Sequence, residues 1–156
     1  MSFFRKLIKP FLTVLPYIFR SGQTVSYPTE RPIFAERFRG RHKLYLDRCI
    51  SCNTCARVCP CKSIVLVEVE GKEGKYPQID FNTCSLCGYC VEFCPKNALE
   101  FTDFVEFAEY DRSKLVYSPE QLTEIPDLKE VLPMLKRRTE IYLTKTEIKF
   151  RKVKDV

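Results

Sequence analysis

The chain has 156 residues, of which 45% are hydrophobic and 29% are charged. Its length suits about one domain, and its apolar content is too high for a wholly disordered chain. Lys and Arg outnumber Asp and Glu by 26 to 20, which gives a formal net charge of +6. The longest stretches without a charged residue are 81–91, with eleven residues, and 10–19, with ten, whereas a membrane span needs ~18 or more apolar residues. The sequence therefore predicts a folded protein without a transmembrane helix.

Residues 1–22 are predicted to form a basic amphipathic helix. The segment contains no acidic residue, and Arg5, Lys9 and Thr13 form a narrow polar stripe. Its apolar residues recur at steps of three and four: Phe4, Leu7, Ile8, Phe11, Leu15, Ile18 and Phe19. Such a helix suits the surface of an anionic membrane or a groove on a membrane subunit. Packing against its own domain is the alternative, and Pro10 and Pro16 are expected to kink or break the helix.

An extended linker is predicted over residues 23–42. It ends in the basic stretch RFRGRHK, residues 37–43, which contains four Arg or Lys and the only His of the chain, His42. For that histidine we expect a structural hydrogen-bonding role. Arg-rich stretches can bind nucleic acid, but the sequence has no nucleic-acid motif, and we expect no nucleic-acid partner.

Eight of the nine cysteines form an internal repeat. Each half has the pattern C-x2-C-x2-C-x3-C-P, and the second half lies 35 residues after the first. The first half contributes Cys49, Cys52, Cys55 and Cys59, and the second contributes Cys84, Cys87, Cys90 and Cys94. This repeat is the strongest signal in the sequence.

Three kinds of site could use these cysteines. Disulfides suit a small secreted scaffold, and zinc sites usually take two ligand pairs separated by a longer loop, often with His. The observed spacing is that of bacterial ferredoxins with two [4Fe–4S] clusters. Two such clusters are the leading hypothesis, and a zinc-stabilised basic binding module remains the alternative from another class.

In this pattern the fourth cysteine of each half points away from its own loop and binds the other cluster. Cluster 1 is therefore predicted to use Cys49, Cys52, Cys55 and Cys94, and cluster 2 to use Cys84, Cys87, Cys90 and Cys59. Asn53 and Gly88 follow the second cysteine of each half, and both residue types tolerate the positive φ that such a loop can need. Seven apolar residues are expected to pack around the clusters: Ile50, Val58, Ile64, Ile79, Leu86, Phe93 and Leu99. Cys61 lies outside the pattern and is predicted to be a small buried thiol.

The fold class predicted from these features is α+β, with a two-[4Fe–4S] ferredoxin-like domain at residues 43–103. Strands are expected at 43–47, 63–70 and 98–102, with a turn at 71–75 and the second half beginning at 78–81. Residues 104–156 are predicted to be an extended C-terminal docking arm that lies on another surface. Its end, 136–154, carries eight basic residues against two acidic ones and is expected to be a solvated or partner-bound tail.

The cysteine pattern also accounts for much of the positive charge. Eight ligating thiolates and two cluster cores would reduce the net charge from +6 to about +2. Most of the basic residues that remain lie in the two arms and in the RFRGRHK stretch, where we expect partners.

The sequence resembles a known family over roughly residues 24–125. FRGRH at 38–42, the two cysteine runs and KLVYSPEQL at 114–122 are similar to the two-cluster subunit of respiratory complex I, called subunit I in bacteria and the 23-kDa or TYKY subunit in mitochondria. The same subunit occurs in energy-converting membrane-bound hydrogenases, archaeal sulfane reductases and related quinone or methanophenazine reductases. This chain departs from the bacterial pattern in being short, in its CPCKSI sequence and in its Lys-rich C-terminus.

The resemblance implies an electron relay without catalytic residues of its own. Its two [4Fe–4S] clusters would pass electrons to the terminal cluster of an adjacent subunit, next to a large hydrogenase- or quinone-site-like subunit. The N-terminal helix would lie along the cytoplasmic face of the membrane. A free, soluble ferredoxin with two clusters is the alternative within the redox class, and it would have no use for the two arms.

Overall fold

The two cysteine repeats fold into matching structural halves. In the computed structural model, which describes residues 2–19, 24–143 and 148–153, each half runs from a strand through a cysteine loop and a short helix to a second strand. The first half contains β2 (His42–Leu44), α2 (Thr54–Val58) and β3 (Ile64–Glu68), and the second contains β4 (Lys75–Asp80), α3 (Tyr89–Glu92) and β5 (Leu99–Phe101). The predicted α+β class and ferredoxin-like arrangement are confirmed.

The two halves exchange strands when they pair. Strand β2 pairs antiparallel with β5, and β3 pairs antiparallel with β4, so each pair takes one strand from each half. Leu44 lies opposite Leu99 and Ile64 lies opposite Ile79, and all four side chains are buried. Because the core is built from both halves at once, neither half has a complete core by itself.

The strand boundaries differ from those predicted. The first was expected at 43–47, but residues 46–48 form a turn in which the amide of Arg48 donates to the carbonyl of Tyr45 at 3.2 Å. Strand β3, which was expected at 63–70, covers only Ile64–Glu68, whereas β4 begins at Lys75, before the predicted start at 78. Turns end both strands earlier than their alternating pattern indicates: the turn at 46–48 ends β2, and the segment that connects β3 to β4 ends β3.

The chain divides into two compact units, and the unit that contains the cysteines spans Phe34–Pro133. It is therefore wider than the predicted domain at 43–103. After β5 come a 3-10 helix (Arg112–Leu115), β6 (Val116–Tyr117), α4 (Pro119–Thr123) and α5 (Leu128–Val131). Strand β6 adds to the sheet as β3–β4–β6, and α4 packs against β2 and β4.

Helix α4 contradicts the prediction that this region lies on another surface. Ser118 caps the helix by accepting from the amide of Gln121, while the Gln121 side chain accepts from the amide of Ser118. This capping box fixes the first turn and directs Leu122 into the hydrophobic core, where it is fully buried. The SPEQL sequence is thus part of the fold around the cysteines.

The second unit combines residues 1–33 and 134–156. It contains α1 (Ser2–Val14), a 3-10 helix (Leu15–Phe19), β1 (Glu30–Pro32), β7 (Arg137–Leu143) and β8 (Ile148–Val153). The strands form a sheet in the order β1–β7–β8, with β1 parallel to β7 and β7 antiparallel to β8. The predictions of an extended linker at 23–42 and of a solvated tail at 136–154 are therefore wrong where β1, β7 and β8 form, and residues 144–147 lie outside the described part.

The N-terminal helix forms as predicted but passes through its first proline. Helix α1 is continuous across Pro10, whereas the change to a 3-10 helix comes directly before Pro16. Eight apolar side chains of this segment are exposed by 40 to 86%: Leu7, Ile8, Phe11, Leu12, Val14, Leu15, Ile18 and Phe19. Within the described residues, no helix is both long and apolar enough to span a bilayer.

Candidate metal centres

Two cavities inside the Phe34–Pro133 unit are each lined by four cysteines. The first has a volume of about 400 Å³, part of which is open to solvent, and its cysteines are Cys49, Cys52, Cys55 and Cys94. The second has about 300 Å³, and its cysteines are Cys59, Cys84, Cys87 and Cys90. Each set combines three cysteines of one half with the fourth cysteine of the other.

The remaining walls come largely from the core. Leu44, Pro77 and Leu99 line the first cavity, and Ile64 and Ile79 line the second. The prediction of a hydrophobic shell therefore holds for Ile64, Ile79 and Leu99, which are buried.

Two members of the predicted shell are largely exposed, and only one of them lines a cavity. Ile50 lines the first cavity but is 56% exposed, whereas Phe93 is 58% exposed and lines neither cavity, so the prediction that Phe93 packs around a cluster is wrong. Ile50 directly follows a cysteine in the first loop, and Phe93 packs edge-to-face on Tyr89 at 6.1 Å. Apolar character alone could not tell these surface positions from the buried ones.

The cysteine loops are wrapped by residues with positive φ. Asn53 and Gly88 have φ values of 61° and 91°, which confirms the prediction for both. Four further positions, which residue type did not predict, also have positive φ: Ser51 at 55°, Leu86 at 53°, Lys62 at 51° and Asn97 at 48°. These form the pairs 51/86 and 62/97, which the 35-residue offset of the repeat relates, so the repeat itself was the signal that could have found them.

Burial dominates the chemistry of two thiols. Burial and neighbouring cysteines raise the pKa of Cys55 to about 11, and the same causes raise the pKa of Cys90 to about 12. A thiolate at these positions needs a compensating positive charge, which a bound metal centre supplies. The buried thiols are thus suited to metal binding and unsuited to free redox chemistry in solution.

Cys59 behaves differently because of Ser63. Burial raises the pKa of Cys59, but hydrogen bonds outweigh this effect and the net pKa is lowered. The side-chain oxygen of Ser63 lies 3.2 Å from the Cys59 sulfur, and the amide of Ser63 donates to the same sulfur at 3.4 Å. In the other half, the amide of Ala98 donates to the sulfur of Cys94 at 3.2 Å.

His42 is buried beside the second cavity and is 1% exposed. Its ring packs between Phe101 and Phe81, with ring centroids 4.5 and 5.7 Å away. Its Nε2 atom lies 3.3 Å from the sulfur of Cys90, and its Nδ1 atom has no hydrogen-bond partner among the described residues. Burial lowers the pKa of His42 to about 4, so the ring is neutral in this environment.

The basic stretch before the first loop is partly internal. Arg41 is 3% exposed and donates to the carbonyls of Gln121 and Glu124, with its guanidinium 5.0 Å from the centroid of the Tyr117 ring. Arg39 donates to the carbonyl of Cys87 at 2.7 Å. The expectation that this stretch is a partner surface is therefore wrong for Arg41, which joins the stretch to α4.

Cys61 is the ninth cysteine, and its predicted burial is wrong. The side chain is exposed, and its sulfur lies 3.4 Å from the hydroxyl of Ser85. Cys61 lines neither cysteine cavity. Its position one residue after Pro60, beyond the end of α2, places it at the surface.

The donor set fits iron–sulfur clusters. Each cavity offers four thiols, amide donors aimed at the sulfurs and an apolar wall, which are the features that hold and tune a [4Fe–4S] cluster. Within the described residues, no three His, Cys, Asp or Glu side chains are grouped for a single metal ion.

Comparison with known proteins agrees with this chemistry. The 4Fe-4S dicluster domain family matches residues 48–121. The chain is thus an iron–sulfur protein of the dicluster ferredoxin type and binds two [4Fe–4S] clusters.

The relatives give the particular family. NADH-quinone oxidoreductase subunit I 2 of Geobacter metallireducens is 39% identical over 126 residues, covering 76% of this chain and 96% of the relative. NAD(P)H-quinone oxidoreductase subunit I of Gloeobacter violaceus is 41% identical over 118 residues, covering 72% of this chain and 56% of the relative. The chain belongs to the NADH-quinone oxidoreductase subunit I family.

A solved structure has the same fold. A chain of the membrane-bound sulfane sulfur reductase, an archaeal respiratory membrane complex, superposes with a TM-score of 0.53 and 35% sequence identity. The match covers 63% of this chain and 52% of the archaeal one. This chain therefore spans only about half the length of that relative and of the Gloeobacter protein.

Proposed function

We propose that the chain is an electron-transfer subunit that relays electrons through two [4Fe–4S] clusters in the peripheral arm of a complex-I-like, ion-translocating membrane oxidoreductase. The observation that carries the proposal is the pair of cavities, each lined by four cysteines drawn from both halves of the repeat. Membership of the subunit I family supports the same function.

The proposed ligands are the cysteines that line each cavity. Cys49, Cys52, Cys55 and Cys94 would hold cluster 1, and Cys84, Cys87, Cys90 and Cys59 would hold cluster 2. A bound cluster supplies one-electron redox chemistry. The chain's own residues position the sulfurs, donate hydrogen bonds to them and keep water away, and no catalytic residue is needed.

We propose that helix α1 docks on an anionic membrane surface at the cytoplasmic face. Phe11 of this helix and Leu15 and Ile18 of the 3-10 helix that follows it are exposed and line an open apolar recess. Lys6 and Lys9 lie on the same helix and carry charge that attracts anionic headgroups. An amphipathic helix of this composition lies in the interface without crossing it.

The proposed partners are an adjacent subunit that carries the terminal cluster and a large subunit of the hydrogenase or quinone-site type. The support is that the relatives are named as subunits of quinone oxidoreductases and of an archaeal respiratory membrane complex. Electron donor and final acceptor would be set by these partners, because this chain only carries electrons.

Purification from membranes tests the assembly. After extraction with a mild detergent, we expect the chain to co-purify with other subunits of an oxidoreductase and to sediment with the membrane fraction before extraction. Recovery of the chain as a soluble monomer would favour the free ferredoxin and overturn the proposed assembly.

Chemical analysis tests the cofactor against the zinc alternative. The holoprotein should contain about eight iron and about eight acid-labile sulfide per chain. About two zinc and no sulfide would instead identify a zinc-stabilised module.

A further inference from the structure

The two cysteine cavities differ in the hydrogen bonds that their walls offer. The 35-residue offset of the repeat relates the wall residues pairwise: His42 with Pro77, and Ser63 with Ala98. The first member of each pair lines the second cavity, and the second member lines the first cavity. These pairs therefore allow the walls of the two cavities to be compared position by position.

His42 offers a donor to the second cavity. Its Nε2 atom is 3.3 Å from the sulfur of Cys90. A cysteine that ligates a cluster is a thiolate and can only accept, so the proton of this hydrogen bond belongs to Nε2. At the related position of the first cavity stands Pro77, which is fully buried and has no N–H to donate.

Ser63 offers a second donor to the same cavity. Its hydroxyl lies 3.2 Å from the sulfur of Cys59, and Ser63 is 3% exposed. The amides of Ser63 and Ala98 make the same backbone contact in the two halves, at 3.4 and 3.2 Å. Only the hydroxyl distinguishes them, because alanine offers no side-chain donor.

The positive charges near the two cavities do not cancel this difference. Lys75 and Lys96 line the first cavity, but both are exposed and Lys75 lies 3.8 Å from Glu68, so water screens them. The hydroxyl of Thr54 is 3.3 Å from Cys52, also at an exposed position. Near the second cavity Arg39 binds the carbonyl of Cys87, and its counterpart in the repeat is Gly74.

We propose that His42 and Ser63 give cluster 2 a higher midpoint potential than cluster 1, so that a single electron shared by the two clusters resides on cluster 2. The proposal rests on the ligand sets proposed above. Within the pair, one electron leaves cluster 1, which is oxidised by one unit, and reduces cluster 2 by one unit. No bond breaks and no proton moves.

The physical basis is the extra negative charge of a reduced cluster. Hydrogen bonds to the ligating sulfurs stabilise that charge and raise the reduction potential. Their effect is larger in a buried, low-dielectric environment than at the surface. His42 and Ser63 are buried, and both act on cluster 2. They are positioning residues that act through Cys90 and Cys59.

The test is an EPR-monitored redox titration of the full chain carrying both clusters, with dithionite as the reductant. Ser63→Ala copies the residue found at the related position of the other half, and Ala98→Ser is its reciprocal control. We expect Ser63→Ala to lower the higher of the two midpoint potentials and Ala98→Ser to raise the lower one. His42→Leu should lower the same midpoint as Ser63→Ala, and His42→Gln, which keeps an N–H donor, should restore part of the shift.

Other results would overturn the proposal. One is that both midpoint potentials are unchanged in a variant that keeps its two EPR signals. Another is that Ser63→Ala and His42→Leu shift the midpoint potentials of different clusters, and a third is that they shift only the lower midpoint potential. If His42→Leu fails to assemble cluster 2, the reciprocal pair at positions 63 and 98 decides. Failure of the relay function itself would appear separately, as missing iron and sulfide or a soluble monomer.

Discussion

At the scale of single residues, Gly40 is fixed by the close approach of two backbone segments. Its amide donates to the carbonyl of Thr102 at 3.0 Å, and the amide of Arg41 donates to the carbonyl of Phe104 at 2.8 Å. A Cβ atom at position 40 would lie 2.6 Å from the Phe104 carbonyl oxygen and would also clash with that of Thr102. Both obstacles are backbone atoms, so they cannot turn away as a flexible side chain would.

We therefore expect Gly40→Ala to destabilise the Phe34–Pro133 unit. Relief of the clash requires separation of the 40–41 and 102–104 segments, at a cost of about 1–3 kcal/mol in the free energy of unfolding. Denaturant unfolding followed by circular dichroism measures this change. Gly71→Asn is the control, because nothing lies within 4 Å of that position and Asn tolerates its φ of +76°. Equal stability of Gly40→Ala and the wild type would contradict the prediction.

Cys59→Ser tests the exchange of ligands between the halves. Since Cys59 lines the second cavity, the substitution should abolish or strongly weaken the EPR signal of cluster 2 and leave that of cluster 1. Cys84→Ser and Cys49→Ser serve as references for the spectral loss of each cluster. Cys61→Ser is the matched control, because Cys61 is exposed and lines neither cavity. Loss of only the cluster 1 signal in Cys59→Ser would show that the exchange is wrong.

Residue type predicted the strained loop positions only in part. Asn53 and Gly88 belong to the types that adopt positive φ readily, whereas Leu86 belongs to a type for which it is unusual. Leu86 adopts a φ of 53° because the loop must curl around the second cavity. Composition could not predict this, since the cause is tertiary.

At the scale of secondary-structure elements, the short helix α4 depends on its cap. A helix of five residues cannot be stable by propensity alone. Its N-terminus is fixed by the reciprocal bonds between Ser118 and Gln121 and by Pro119 in the first turn. Its packing delivers Leu122 to the core beside Leu44.

We expect Ser118→Ala to lower the free energy of unfolding by about 1 kcal/mol, because the amide of Gln121 loses its acceptor. Chemical denaturation of the holoprotein measures the effect. Ser113→Ala is a suitable control, since Ser113 is exposed and uses its backbone amide to contact Asp111. Equal effects of the two substitutions would contradict the role of the cap.

Helix α1 has an apolar face whose contribution to membrane binding can be isolated by substitution. Phe11→Asp should weaken binding of the full chain to anionic phosphatidylglycerol vesicles by about tenfold to a hundredfold, which corresponds to the loss of one buried aromatic side chain. Thr13→Asp introduces the same charge on the polar stripe of the same helix. It should have a much smaller effect, because it weakens only the electrostatic attraction to the anionic headgroups and leaves the apolar face intact.

Vesicle co-sedimentation at several salt concentrations measures both variants. If Phe11→Asp and Thr13→Asp weaken binding equally, the attraction is electrostatic only and the apolar face is not inserted. If neither variant changes binding, helix α1 does not dock on membranes.

The C-terminal strands show where the element-scale prediction failed. The count of eight basic residues in 136–154 favoured a solvated tail, but Arg137–Leu143 and Ile148–Val153 pair as β7 and β8. These strands carry side chains of both charges, and a guanidinium nitrogen of Arg151 lies 3.8 Å from a carboxylate oxygen of Glu140. A charge count omits the β-branched residues Thr139, Ile141 and Ile148, which favour strands. The pairing of β1 with β7 joins segments more than 100 positions apart, which local pattern cannot reveal.

At the scale of the whole molecule, the cysteines are part of the hydrophobic core. Cys90 is buried within the core cluster, and Cys49, Cys55, Cys59 and Cys84 pack against it. The double role of the cysteines, as ligands and as core residues, explains which parts of the fold and the site the sequence could predict. The repeat specified the halves, their helices and the chemistry of the sites, because metal ligation imposes strict spacing. Three features depend on long-range contacts that no spacing encodes: the burial of Arg41, the packing of α4 into the core and the sheet β1–β7–β8.

A core built around clusters predicts the consequence of their removal. The cluster-free unit would retain eight unligated thiols around two pockets that are partly open to solvent, and burial raises the pKa of Cys55 and Cys90 among them. Cluster ligation joins the two halves, so the free energy of ligation is also folding free energy, and a domain has only about 5–15 kcal/mol of stability in total. We expect removal of iron by a chelator to unfold the Phe34–Pro133 unit.

Two signals recorded together measure this coupling. Visible iron–sulfur absorbance and far-ultraviolet circular dichroism should fall with the same time course, because ligation and folding are one equilibrium. Gly40→Ala, which weakens the fold without touching a ligand, should lose its iron faster than the wild type. Loss of absorbance with an unchanged dichroism spectrum and a retained unfolding transition would show that the polypeptide folds without its clusters, and the core would then owe its stability to apolar packing alone.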